Sequence, residues 1–170
     1  GDSINNTDEE YFPGITADGK TFLFTRRLKT VNAAGVRNQQ EDFYVSKLGK
    51  KGWSYARPLS EINTGGNEGA PTLSADGQYL FFTGCAEQGD ADSYKTNGSC
   101  DIFLSKKNGD KFTKPRNIEA PVNTNSWESQ PSFSSDGRTL YFVRKIKGTD
   151  GINQLDILVS KIDDNSGWSE

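Results

Sequence analysis

The chain has 170 residues, a formal charge of −3, no histidine, no methionine and two cysteines. One domain is the natural size, and the lack of histidine removes Ser-His-Asp and Cys-His catalysis together with every histidine-containing metal site. Lys and Arg are interspersed among Asp and Glu with no basic stripe, no apolar run approaches the roughly 18 residues of a bilayer span, and Gly1-Asp2-Ser3 lacks a signal-peptide layout; nucleic acid and a transmembrane segment are therefore not expected, and any targeting segment is expected to have been removed.

In chain order, Pro13 opens a stretch that runs through Asp18-Gly19 to Phe22-Leu23-Phe24. It recurs from Pro71 through Asp76-Gly77 to Leu80-Phe81-Phe82, and from Pro131 through Asp136-Gly137 to Leu140-Tyr141-Phe142. The prolines stand 58 and 60 residues apart (71 − 13 and 131 − 71), a period that points to repeated supersecondary units. Glu10, Glu68 and Glu128 precede each proline by three residues, and Asn5, Asn63 and Asn123 by eight. A second block follows each copy as Asp42 to Ser46, Asp101 to Ser105 and Asp156 to Ser160. A third centres on Trp53, Phe112 and Trp168, each after a Gly- or Asn-containing turn.

Each repeat converts into four strands, A to D. An Asp-Gly pair between two β-rich runs marks a tight hairpin, so it joins A to B. Strand B is apolar at nearly every position, which predicts that both of its faces are covered by neighbouring sheets. Strand D is expected to carry the Trp or Phe and to end near Pro58 or Pro115, where a proline suits an outer edge. The predicted class is therefore all-β: a β-propeller of four-stranded antiparallel blades, three in this chain, at about 5–62, 63–122 and 123–170. Propellers close with 4 to 8 blades, so a partial propeller or a half-ring is expected, with open apolar faces that favour self-association.

The strand order puts the Asp-Gly turns and the C–D turns near Gly49, Asn108 and Asn165 at one end, the bottom. The B–C loops (about 26–41, 84–100 and 144–155) and the D–A connections lie at the other end, the top, the expected recognition face. The candidate partner-binding residues there are Glu10, Glu68 and Glu128, with Arg26, Arg27, Lys29, Arg37, Glu87, Asp90, Asp92, Arg144 and Lys145. The three glutamates read either as an acidic rim for a cationic partner or as caps of the D–A turns. Asp42, Asp101 and Asp156 read as backbone-bonding residues, being too far apart to share a metal ion. Cys85 and Cys100 bracket the second top loop at strand ends that antiparallel pairing brings together, so a disulfide is expected, and with it an oxidising compartment.

Glu128 through Phe142 and Asp156 to Ser160, with the matching stretches of the other copies, resemble the WD-like repeat of TolB-like β-propellers. Trp53 to Thr64 resembles repeats in OmpA-family envelope proteins of Bacteroidetes, some associated with type IX secretion. The resemblance implies a non-catalytic binding or scaffold segment, periplasmic and associated with the outer membrane, without cofactor or metal. Its implied partner is another envelope or secretion-system protein, with peptidoglycan contact through domains outside this chain. The alternative is a carbohydrate-active or carbohydrate-binding propeller using top-face carboxylates; Ser74-Ala75-Asp76-Gly77 is superficially like a sialidase Asp-box, with its glycine one residue early.

Overall fold

A computed structural model describes residues 1–31, 37–86, 93–163 and 167–169; the side chains at 30, 31, 37, 38 and 163 also lie outside the description. The described residues form fourteen strands and no helix, so none is long and apolar enough to cross a membrane. They make three antiparallel sheets. The first holds β1 (Glu9–Ile15), β2 (Thr21–Val31), β3 (Arg37–Gly49), β4 (Gly52–Trp53) and β5 (Arg57–Pro58). The second holds β6 (Asn67–Leu73), β7 (Tyr79–Cys85), β8 (Cys100–Asn108), β9 (Lys111–Phe112) and β10 (Arg116–Asn117). The third holds β11 (Glu128–Phe133), β12 (Thr139–Lys147), β13 (Asn153–Asp163) and β14 (Gly167–Ser169).

The Asp-Gly turns form as their chemistry requires. Gly19, Gly77 and Gly137 adopt φ near 70°, the left-handed region open to glycine. The Asp18, Asp76 and Asp136 carboxylates each accept a hydrogen bond from the hydroxyl two residues back and the N–H two residues on. Those bonds, the hydroxyl's foremost, hold all three carboxyls below their ordinary range.

Strand D departs from expectation. It breaks after two residues, at Ser54–Ala56 and Thr113–Pro115, because Ser46 and Ser105 on strand C donate their hydroxyls to the carbonyls of Ser54 and Thr113. Pro115 thus lies in the break, whereas Pro58 pairs with Tyr44 at the sheet edge. Asn165 and its turn lie outside the described residues.

The sheets stack face to face, β6 against β1, β2 and β3, and β11 against β6, β7 and β8. One core joins Leu23, Phe43 and Val45 of the first sheet to Leu80, Phe82 and Phe103 of the second. The other joins Phe81, Ile102 and Leu104 to Leu140 and Phe142 of the third. Strand B of the middle sheet is covered on both faces as predicted. The third sheet departs from that expectation, since Tyr141, Ile157 and Val159 face outward.

The linkers lock consecutive sheets together. The Asn63 side-chain amide accepts from the N–H of Phe43 and donates to its carbonyl, at 2.9 and 3.0 Å. Asn123 makes the same pair with Ile102, at 2.8 and 2.7 Å. Beside these clamps Leu59, Ile62, Ile118 and Val122 fill the cores. Asn5 holds the equivalent place in the first repeat, and its side chain is exposed.

Candidate binding face

The glutamates do not form a rim. Glu68 and Glu128 are fully buried, and each takes the N–H and hydroxyl of the threonine four residues earlier, Thr64 or Thr124. Glu10 takes the N–H of Asn6 in the same way. The acidic-rim expectation is corrected: these carboxylates cap the turns that lead into β1, β6 and β11, because the tight connection leaves backbone donors that need an acceptor.

Arg26 and Arg144 are likewise internal. Each donates Nε to the capping glutamate, Glu10 or Glu128, at 2.9 Å. Each also donates to a carbonyl six residues before that glutamate, Ile4 or Val122. Arg26 further lies 4.2 Å from the centroid of the Tyr44 ring. In the middle sheet the corresponding position is Gly84, paired with Glu68. Tyr94 takes the arginine's place: its ring stacks on Phe103, 4.6 Å between centroids, and its hydroxyl donates to the Ile62 carbonyl. A Cβ at Gly84 would fall 2.9 Å from that ring. Among the described residues no guanidinium reaches Glu68, and burial pushes its carboxyl up to about 7, with the Asp42 charge acting in the same direction and the Thr64 bonds opposing.

Three equivalent cross-strand pairs set the height of the top face. Cys85 pairs with Cys100, and the two are joined as a disulfide. The same position in the first sheet is Arg27–Glu41, an ion pair at 2.9 Å, and in the third Lys145–Leu155. Among the described residues the strand pairing of the middle hairpin reaches no further, apart from one bond from the Ala86 N–H to the Ser99 carbonyl. The others continue as strands, to Val31–Arg37 and to Lys147–Asn153. Two predicted irregular loops are therefore largely β-ribbons rising above the sheets, because their alternating long side chains sustain strand pairing. The first ribbon carries a ladder in which Glu9 binds Arg27 and Lys29, each at 3.0 Å, with Lys29 foremost in lowering the Glu9 carboxyl. The third exposes Lys145 and Leu155.

Between the ribbons, on the line where β1, β6 and β11 begin, lies a pocket of about 410 Å³. Its lining includes Arg27, Glu41, Asn67 and Gln130, the rings of Phe12 and Trp127, and Gly69. Phe12, Ala70 and Gln130, equivalent residues before the three prolines, hold φ of 50°, 50° and 53°, an unusual backbone state that concentrates at binding sites. Nearby, the hydroxyls of Tyr11 and Thr25 are buried without a hydrogen-bond partner, that of Thr25 4.0 Å from where a Cβ at Gly69 would stand. Burial, with Glu41 near, raises the Tyr11 phenol.

Of the predicted top-face residues, Arg27, Lys29 and Lys145 are available to a partner. Glu68, Glu128, Arg26 and Arg144 serve the fold, and Glu10 is largely engaged with Arg26. The Arg37 side chain and Glu87, Asp90 and Asp92 lie outside the described residues. Asp101 accepts from the N–H groups of Asn97 and Gly98, the expected backbone role, whereas Asp42 accepts from the Gln40 side chain. Among the described residues no three acidic or cysteine side chains gather to hold a metal ion. Tyr94, Thr25 and Gly69 were missed. The signal for Tyr94 was the break in the repeat at Gly84, where glycine stands in place of arginine.

No family model and no curated protein matches the sequence. Among solved structures, the chain is similar to a Mycobacterium tuberculosis puromycin-hydrolyzing peptidase, at 10% identity and TM-score 0.55, over 92% of this chain and 23% of that one. A Microbacterium saccharophilum K-1 beta-fructofuranosidase catalytic domain also matches, at 16% identity and TM-score 0.43, over 89% of this chain and 44% of that one. The chain thus spans under a quarter and under half of their lengths. The peptidase is an enzyme, which corrects the expectation that this architecture sets the chain apart from catalysis. The likeness to the peptidase is one of fold.

Proposed function

We propose that the chain is a segment of a β-propeller, each sheet one blade, that recognises another protein of a bacterial envelope through its top face. The observation that carries this reading is the pair of ribbons that extend past the height of the Cys85–Cys100 disulfide, one edged with Glu9, Arg27 and Lys29 and the other with Lys145 and Leu155. A rigid face with mixed charge and exposed apolar groups suits a protein surface better than a single small ion. The disulfide favours an oxidising compartment such as the periplasm, and the repeat resembles those of OmpA-family envelope proteins.

The same reading accounts for the outer faces. Asn5 and the main-chain edge of Ile157 are the two open halves of the Asn63 and Asn123 clamps, so a further unit of this kind, in one chain or from a second copy, fits both.

A photo-crosslinking residue placed at Lys29 or Leu155 is expected to capture a defined envelope protein that the same residue at Ala75, in a bottom turn, does not. Arg27→Glu should abolish the Lys29 product. Equal capture from Ala75, or capture indifferent to Arg27→Glu, would overturn the reading.

A further inference from the structure

The pocket on the axis ends in a notch that the neighbouring junction shows filled. Between the second and third sheets, Thr83 Oγ1 lies 3.1 Å from Ser129 Oγ and accepts the Gln130 N–H at 3.1 Å. One junction earlier the same three positions are Thr25, Gly69 and Ala70. Gly69 supplies no hydroxyl, and Thr25 Oγ1, on a fully buried residue, has no partner. A Cβ at Gly69 would stand 3.5 Å from Glu41 Oε2 and 4.0 Å from Thr25 Oγ1. The notch admits a Cβ without clash and is bounded by a carboxylate oxygen and a hydroxyl.

The chemistry of its occupant follows from those walls. Arg27 binds Glu41 through Oε1 on the far side, so the carboxylate is already paired and gains little from a second cation, while Oε2 repels an anion. A neutral hydroxyl satisfies both oxygens, donating to Glu41 Oε2 and accepting from Thr25 Oγ1. The lining also holds the Asn67 amide, whose Oδ1 accepts from the Glu41 N–H and whose Nδ2 is the group left to donate, the Gln130 amide, and the apolar rings of Phe12 and Trp127. The volume lies within the ordinary range of small-ligand sites.

We propose that this pocket binds a neutral polyhydroxylated ligand, a sugar ring or short saccharide, with one hydroxyl seated in the Gly69 notch where Ser129 places its own in the next junction. The site shares Arg27 with the first ribbon, but Lys29 and Leu155 lie outside its lining, so the proposal does not depend on the protein-recognition reading.

The test is saturation-transfer NMR on the whole chain with glucose, galactose, mannose, N-acetylglucosamine and their disaccharides as probes. Gly69→Ser supplies the missing hydroxyl at a position whose φ is not left-handed and whose nearest atom is 3.5 Å from the new Cβ. Losing a charge-assisted hydrogen bond predicts roughly tenfold or more weaker binding in that variant, with thermal stability equal or higher because Thr25 gains its partner. No transfer from any probe would mean that water alone occupies the notch and would overturn the proposal. So would binding that Gly69→Ser leaves unchanged. Crosslinking from Lys29 should be the same in both proteins, which separates a failure here from a failure of the protein-recognition reading.

Discussion

Glu68 shows how one substitution in a repeated pattern changes the chemistry of a site. Its equivalents Glu10 and Glu128 each hold an arginine, and Gly84 removes that arginine from the middle sheet. The carboxyl, ordinarily at 4.5, is raised to about 7 by burial. Between those values the folded chain retains a proton that the unfolded chain releases, so the Glu68 contribution to stability is fully present below about 4.5 and is lost as pH rises towards 7. Above that it levels off, after a loss on the order of 3 kcal/mol. Denaturant titrations from pH 4 to 8 should show this slope, and Glu68→Gln should flatten it. A second residue-scale expectation concerns Gln130, exposed and held at φ 53°. Gln130→Gly relieves a left-handed conformation and should stabilise by up to about 1 kcal/mol, whereas glycine inserted into a strand ordinarily destabilises. The spacing of the three glutamates was legible in the sequence. Their role turned on burial, and burial depends on which linker folds over which strand.

At the scale of elements, the asparagine clamps tie each linker to strand C of the preceding sheet. Asn63→Ala or Asn123→Ala leaves the N–H of Phe43 or Ile102 buried and unpaired, and each should cost about 1–3 kcal/mol by chemical denaturation. Asn5→Ala, which breaks no such bond here, should cost almost nothing. The disulfide closes a loop of sequence separation 15; replacing both cysteines with serine should lower stability by about 3 kcal/mol in the chain-entropy model. Strands A, B and C were readable from Asp-Gly turns and apolar triplets because those signals are local. The fracture of strand D was not, since it depends on Ser46 and Ser105 reaching across to the carbonyls of Ser54 and Thr113. The ribbons were taken for loops for a related reason: Arg26 to Val31 mixes charged residues with Leu28 and Val31 and lacks a clean apolar alternation, and only pairing with its partner strand makes it regular.

For the molecule as a whole, the three sheets provide two complete interfaces and two open faces. Ile157, 79% exposed, stands where Phe43 and Ile102 are buried. If the open faces accept further units, light scattering should find associated chains that Ile157→Asp returns to monomers; a monomer at all concentrations would count against pairing. The order of sheets was legible from the period alone. The contents of the axis were not, because the pocket joins residues from three repeats that no single stretch of sequence brings together. The ribbons have one more consequence. The first and third sheets each carry paired strands beyond the height of the disulfide, and a partner held at both gains avidity: each contact raises the effective concentration of the other, so that shortening either ribbon weakens binding by far more than its share of the area.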